Sequence, residues 1–137
     1  MSTQTQTTSF KAECWQAIHN LTTDTLKIAL YTGAASLDQS TTAYSTTNEI
    51  TGAGYTAGGA TITGVTLNSE GFTVYVSFNN PSWSGALTAR YALIYNASKA
   101  NRSIAVLDFG ADKTSTTTFA ITLPANTATS ALLRSSN

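Results

Sequence analysis

Few side chains in this chain could do chemistry. It has one histidine, His19, one cysteine, Cys14, and seven carboxylates, Glu13, Asp24, Asp38, Glu49, Glu70, Asp108 and Asp112, spread over 137 residues. A hydrolytic triad needs a base oriented by an acid, and the sequence fixes no acid beside His19, which reads as a surface imidazole near a helix end. One Cys and one His at positions 14 and 19 match no zinc spacing, and Cys14 falls on an apolar stripe as a small buried hydrophobe would. A glycosidase needs two carboxylates at a set separation. Asp108 interrupts an apolar strand, but a lone Asp there is expected to pair with Arg90 or a backbone donor. The run Gly52-Ala53-Gly54-Tyr55-Thr56-Ala57-Gly58-Gly59 imitates a nucleotide fingerprint without following a strand or opening a helix, so a phosphate would lack the helix N-terminus that binds it. The chain therefore reads as non-enzymatic, with no catalytic residue, metal ligand or cofactor.

The residues left to make a functional contact are large and mostly aromatic: Phe10, Trp15, Tyr44, Tyr55 and Trp83. Phe10 and Trp15 are big enough to anchor an interface, with packing on the domain as the competing expectation. Trp83 could stack on a sugar ring from a loop, although capping one end of a core is the stronger reading.

The elements that must position these residues come from periodicity. Residues 2–9 are all Ser, Thr or Gln and read as a solvated arm that stays loose until something binds it. Phe10, Cys14, Ala17, Ile18 and Leu21 recur at helical spacing, which predicts a helix over residues 10–21 with Ser9 as N-cap. From Leu26 the period becomes two, giving a half-buried strand over 26–31. Residues 33–60 are long for a loop, and such loops are usually functional or mobile.

Residues 61–67 and 72–78 predict a hairpin turning at Gly71, with Phe72, Val74, Val76 and Phe78 on the inward face. Residues 87–95 and 104–109 carry apolar side chains on both faces, as interior strands do, and form a second hairpin. A strand over 116–123 ends at Pro124, and a short edge strand is expected around 131–133. Turn-separated strands preceded by one short helix predict an all-β, antiparallel β-sandwich, a jelly roll in first place and an immunoglobulin-like sandwich in second. Residues 1–9 would be the arm and 10–137 the single domain.

Charge narrows the partners. Seven basic and seven acidic residues cancel and make up only 10% of the chain, where about 25% is ordinary. Polarity comes instead from 26 Thr and 15 Ser. Scattered Lys and Arg argue against nucleic acid, which is held by clustered cations. No window is apolar enough to span a membrane, and residues 1–9 show no secretory pattern. Zero net charge removes the self-repulsion that keeps domains apart, so a symmetric homo-oligomer is expected, a dimer before a trimer.

Several phrases together resemble a family of small virion structural proteins of tailed bacteriophages, the head decoration or cement proteins. They are Thr25-Leu26-Lys27-Ile28-Ala29-Leu30-Tyr31-Thr32, Thr42-Ala43-Tyr44-Ser45-Thr46-Thr47-Asn48-Glu49-Ile50 running into the glycine cluster, Trp83, Ala89-Arg90-Tyr91-Ala92-Leu93-Ile94-Tyr95-Asn96 and Ala105-Val106-Leu107-Asp108-Phe109-Gly110. The resemblance implies a β-sandwich made in the host cytoplasm that sits on the outer surface of a capsid and clamps adjacent copies of the major capsid protein. The arm, the helix and the loop over 33–59 are the expected contact. The competing expectation is a carbohydrate- or receptor-binding module of a virion tail or fibre, resting on Trp83, Tyr55 and the same loop.

Overall fold

The computed structural model describes residues 3–135, so Met1 and Ser2 of the expected arm and Ser136 and Asn137 of the tail lie outside it. The protein is 41% strand and 6% helix, with antiparallel sheets and one short helix. The strands are β1 Thr3–Gln6, β2 Leu26–Tyr31, β3 Ala60–Thr61, β4 Thr66–Glu70, β5 Thr73–Ser77, β6 Ser82–Ser84, β7 Thr88–Asn96, β8 Arg102–Thr114, β9 Thr118–Ala120 and β10 Leu133–Ser135, and α1 is Thr8–Trp15. They form a five-stranded sheet in the order β1-β8-β7-β2-β3, a three-stranded sheet β10-β5-β4 and a two-stranded sheet β6-β9.

The main core lies where these sheets face one another. Leu26, Ile28 and Leu30 of β2 meet Ala92 and Ile94 of β7, Val76 of β5, Trp83 of β6 and Phe119 of β9. The predicted interior hairpin is present as β7 and β8, paired from Thr88 opposite Thr114 to Asn96 opposite Arg102. β2 differs from its expected half-burial: five of its six residues are buried, on both faces. The second face carries Ala29, Tyr31, Leu93, Tyr95 and Val106, and the loop after β2 covers it with Ala35, Leu37 and Tyr44. A loop poor in apolar residues thus still supplies the few needed to close one face of the sheet.

At the N-terminal end the structure corrects three expectations. The polar segment is not a loose arm: Thr3–Gln6 pair antiparallel with Asp108–Ala105 of β8. Backbone hydrogen bonds hold it, and these leave no trace in side-chain polarity. The N-cap is Thr7, not Ser9: its fully buried side chain accepts from the Phe10 N–H and receives the Ser103 hydroxyl at 2.9 Å. The helix stops at Trp15, short of residue 21. Ala17 adopts φ +59°, the Ala17 N–H returns to the Cys14 carbonyl and the Ile18 N–H to the Glu13 carbonyl. This is a Schellman ending with alanine where glycine is usual, so the sequence carries no stop signal. The predicted stripe is cut, leaving Cys14 exposed rather than buried.

The first hairpin also departs from its prediction. Gly64, at φ +69°, separates β3 from β4, so the single strand expected over 61–67 is two pieces. Of the four residues assigned inward, Val76 and Phe78 are buried, but Phe72 is 93% and Val74 44% exposed. The last predicted strand shortens to β9, with Phe119, Ile121 and Leu123 buried as expected, and the terminal edge strand is displaced to β10, which pairs with β5.

Candidate functional site

The five residues singled out by the sequence do not gather at one site. Phe10 is buried, with its ring 4.9 Å from that of His19. Trp83 is buried between Tyr55 and Phe119, its centroid 6.2 and 6.1 Å from theirs. Tyr44 stacks on Tyr95 at 4.7 Å. Trp15 alone stands free, 93% exposed at the end of α1.

Tyr44 and Tyr55 serve a different purpose, which the sequence pattern does not reveal. Both hydroxyls donate to the Glu49 carboxylate, which also accepts the Gly58 N–H at 2.8 Å. The Tyr31 hydroxyl donates to the Ser45 carbonyl and that of Tyr95 to the Gly58 carbonyl. Burial, reinforced by Glu49, pushes the Tyr44 and Tyr55 hydroxyls well above the usual phenol range, so both stay protonated as donors. The glycine run fits this arrangement. A Cβ on Gly59 would stand 1.8 Å from the Ile28 carbonyl oxygen, so its glycine, at φ +82°, allows the loop to lie on β2. The loop over 33–59 is thus a preorganised surface, pinned from beneath.

His19 is not the surface imidazole expected. Its side chain is fully buried; Nε2 lies 2.8 Å from Glu13 Oε1 and Nδ1 3.0 Å from Asn96 Nδ2. The Asn96 amide is oriented by donating to Asp24 and accepting from the Ser98 N–H, so Nδ1 of His19 must accept and Nε2 must donate. Neither ring nitrogen is left for a substrate proton. The chain of contacts continues through Glu13 to Arg102 at 3.0 Å and through Asp24 to Lys99 at 2.9 Å, tying the turn after β7 to the segment after α1. Desolvation acts to raise the Asp24 pKa, but hydrogen bonds from Asn96, the Asn20 N–H and Lys99 outweigh it and bring the group from 3.8 down to about 2. Asp108 accepts from Arg90 at 2.9 Å, the pairing expected of a lone Asp in an apolar strand; the Arg90 hydrogen bond, then that of the Gly110 N–H, lowers its pKa.

A groove of about 670 Å³ between α1 and the three-stranded sheet offers room for a partner. Phe10 and Trp15 line it from the helix, Val74 and Leu133 from β5 and β10, and Gln4 and Gln6 from β1. Both β1 and β10 are edge strands. Its charged lining residues are Lys11 and Arg134, both cations. Sequence reasoning missed this groove because it placed Val74 inside and had no way to bring residues 4–15 beside 130–135. One signal was available for Phe72: it adjoins the turn glycine, and a hairpin tip is the part farthest from a sheet's centre. Among the described residues, no three His, Cys, Asp or Glu side chains converge in a metal-like cluster. No protein-family model, curated protein or solved structure matches the chain.

Proposed function

We propose that this protein is a non-enzymatic head decoration component of a tailed-bacteriophage virion, bound to the outer surface of the capsid and clamping adjacent major capsid proteins through the loop over residues 33–59. The observation that carries the reading is the placement of the phrases on which the resemblance rests. Residues 25–32, 42–59, 89–96 and 105–110 fall on β2, the pinned loop, β7 and β8, which are neighbours in space, and Trp83, on β6 of the two-stranded sheet, packs against Tyr55 of the loop. The likeness therefore belongs to one packed unit rather than to scattered segments. Its outer surface is rich in Thr, Ser, Gly and Ala and already ordered, so a partner binding there need not meet the cost of ordering a flexible segment. The sugar-binding alternative has less to stand on, since Trp83 is buried and Tyr55 is engaged with Glu49.

Heads assembled without the protein are expected to release their genome at lower temperature, and adding purified protein back should restore them. Thr46 is exposed on the loop, and Thr46→Arg should lower head occupancy about tenfold without changing the melting of the free protein. Head stability indifferent to the protein would overturn the reading.

A further inference from the structure

From the distribution of exposed apolar and charged side chains we infer that the groove beside α1 is a self-association surface, filled by the β4–β5 hairpin tip of a second copy in a two-fold dimer. This assignment is independent of the capsid reading.

The hairpin outruns the core beneath it. Val74 and Val76 share one face of β5 and Phe72 sits in the turn just before it; exposure falls from 93% at Phe72 to 44% at Val74 and 7% at Val76 toward the centre of the sheet. Leu67, opposite Val76 on β4, is 56% exposed on that same face. Leu67, Phe72, Val74 and Trp15 are the large hydrophobics exposed among the described residues. A Cβ added to Gly71 would meet nothing within 4 Å, so the tip stands clear of the rest of the protein. A monomer of ordinary composition rarely leaves contiguous apolar surface of this kind uncovered.

Charge identifies a second copy as the occupant. Ion pairs take Arg90, Lys99 and Arg102, whereas Lys11 and Arg134 in the groove have no acidic partner among the described residues. The hairpin tip bears Glu70, exposed and in no such ion pair, next to Gly71 and Phe72. An aromatic side chain flanked by a carboxylate thus has its complement in an apolar groove flanked by two cations. Val74 belongs both to the exposed hairpin face and to the groove lining, so the two surfaces are continuous. Continuity lets one two-fold axis place each tip in the other's groove, a closed contact that cannot grow into a fibre. A buried aromatic covers about 150–250 Å². Phe72 and Trp15 from each copy, with Val74 and Leu67, would form the apolar centre of an interface of ordinary size, about 800 Å² per partner.

Sedimentation equilibrium on the full chain tests this directly. The wild type should be a monomer–dimer system. Phe72→Asp and Trp15→Asp, both at exposed positions, should each weaken dimerisation by about 30-fold or more with unchanged far-UV circular dichroism. Glu70→Arg should cost roughly 3- to 10-fold, and combining it with Lys11→Glu and Arg134→Glu should recover that loss. A wild type that stays monomeric at millimolar concentration overturns the assignment and leaves the groove to a different partner. A dimer indifferent to both aspartate variants, or an open-ended series of oligomers, overturns it equally.

Discussion

The two hairpins β7–β8 and β4–β5 both join neighbouring antiparallel strands, yet they hold opposite positions in the molecule. β7 carries Leu93 and Ile94 on opposite faces, both fully buried, because sheets lie over one face and the pinned loop over the other. β5 has apolar side chains at alternate positions, Val74 and Val76, but beyond Val76 this face overhangs into solvent. The turns differ too. Asn96 and Lys99, at the β7–β8 turn, are bound by Asp24, whereas a Cβ added at Gly71 in the β4–β5 turn would meet nothing. Period two therefore establishes which side chains share a face, and only the rest of the fold determines whether that face is covered.

The contrast is sharpest for truncation in the core. Ile94→Ala should destabilise the free protein by about 2–5 kcal/mol, the cost of lost burial plus a cavity, read from urea unfolding. The turn contacts come next and show themselves through acid. Because Asp24 is held at about 2 against an ordinary 3.8, the folded protein favours its ionised form. That stabilisation is complete above about pH 4 and is lost as pH falls through about 2. Asp24→Asn should flatten this acid limb, as seen in unfolding midpoints taken from about pH 5 downward. The smallest effect belongs to the overhanging tip: Phe72→Ala should change the stability of dilute, monomeric protein by no more than about 0.5 kcal/mol. A loss on the scale of Ile94→Ala would mean that the tip is packed and erase the distinction.

What was legible in the sequence follows the same division. β7 and β8 could be read because dense apolar residues mark an interior strand whichever neighbours cover it, whereas β2 reads as a strand but as a half-buried one, since period two does not show that a loop closes its second face. The Arg90–Asp108 pair could be anticipated because a carboxylate in an apolar strand needs a partner. The pairing of Thr3–Gln6 could not, since backbone hydrogen bonding is indifferent to side-chain type. Nor could the end of α1, where Ala17 takes a conformation for which glycine would have been the sign. His19 was misread for a related reason: its amide partner Asn96 lies 77 residues away, and Glu13 reaches the ring only because the chain turns back after Trp15. The site residues were chosen by size, and size marks core and surface alike; Trp15 was separable from Phe10 only once the helix end was known.

The pairing of β1 with β8 also sets an order in time. Thr3 lies opposite Asp108, so β1 leaves the ribosome well before its partner and finds it only after every strand from β2 through β7 has been made. At about 5–20 residues per second, that wait lasts on the order of 5 to 20 seconds. A segment rich in Val or Ile would spend the interval as an unpaired, adhesive strand in a crowded cell. Thr-Gln-Thr-Gln has little to offer a stranger, and its polarity protects the chain during synthesis while leaving the eventual backbone ladder intact.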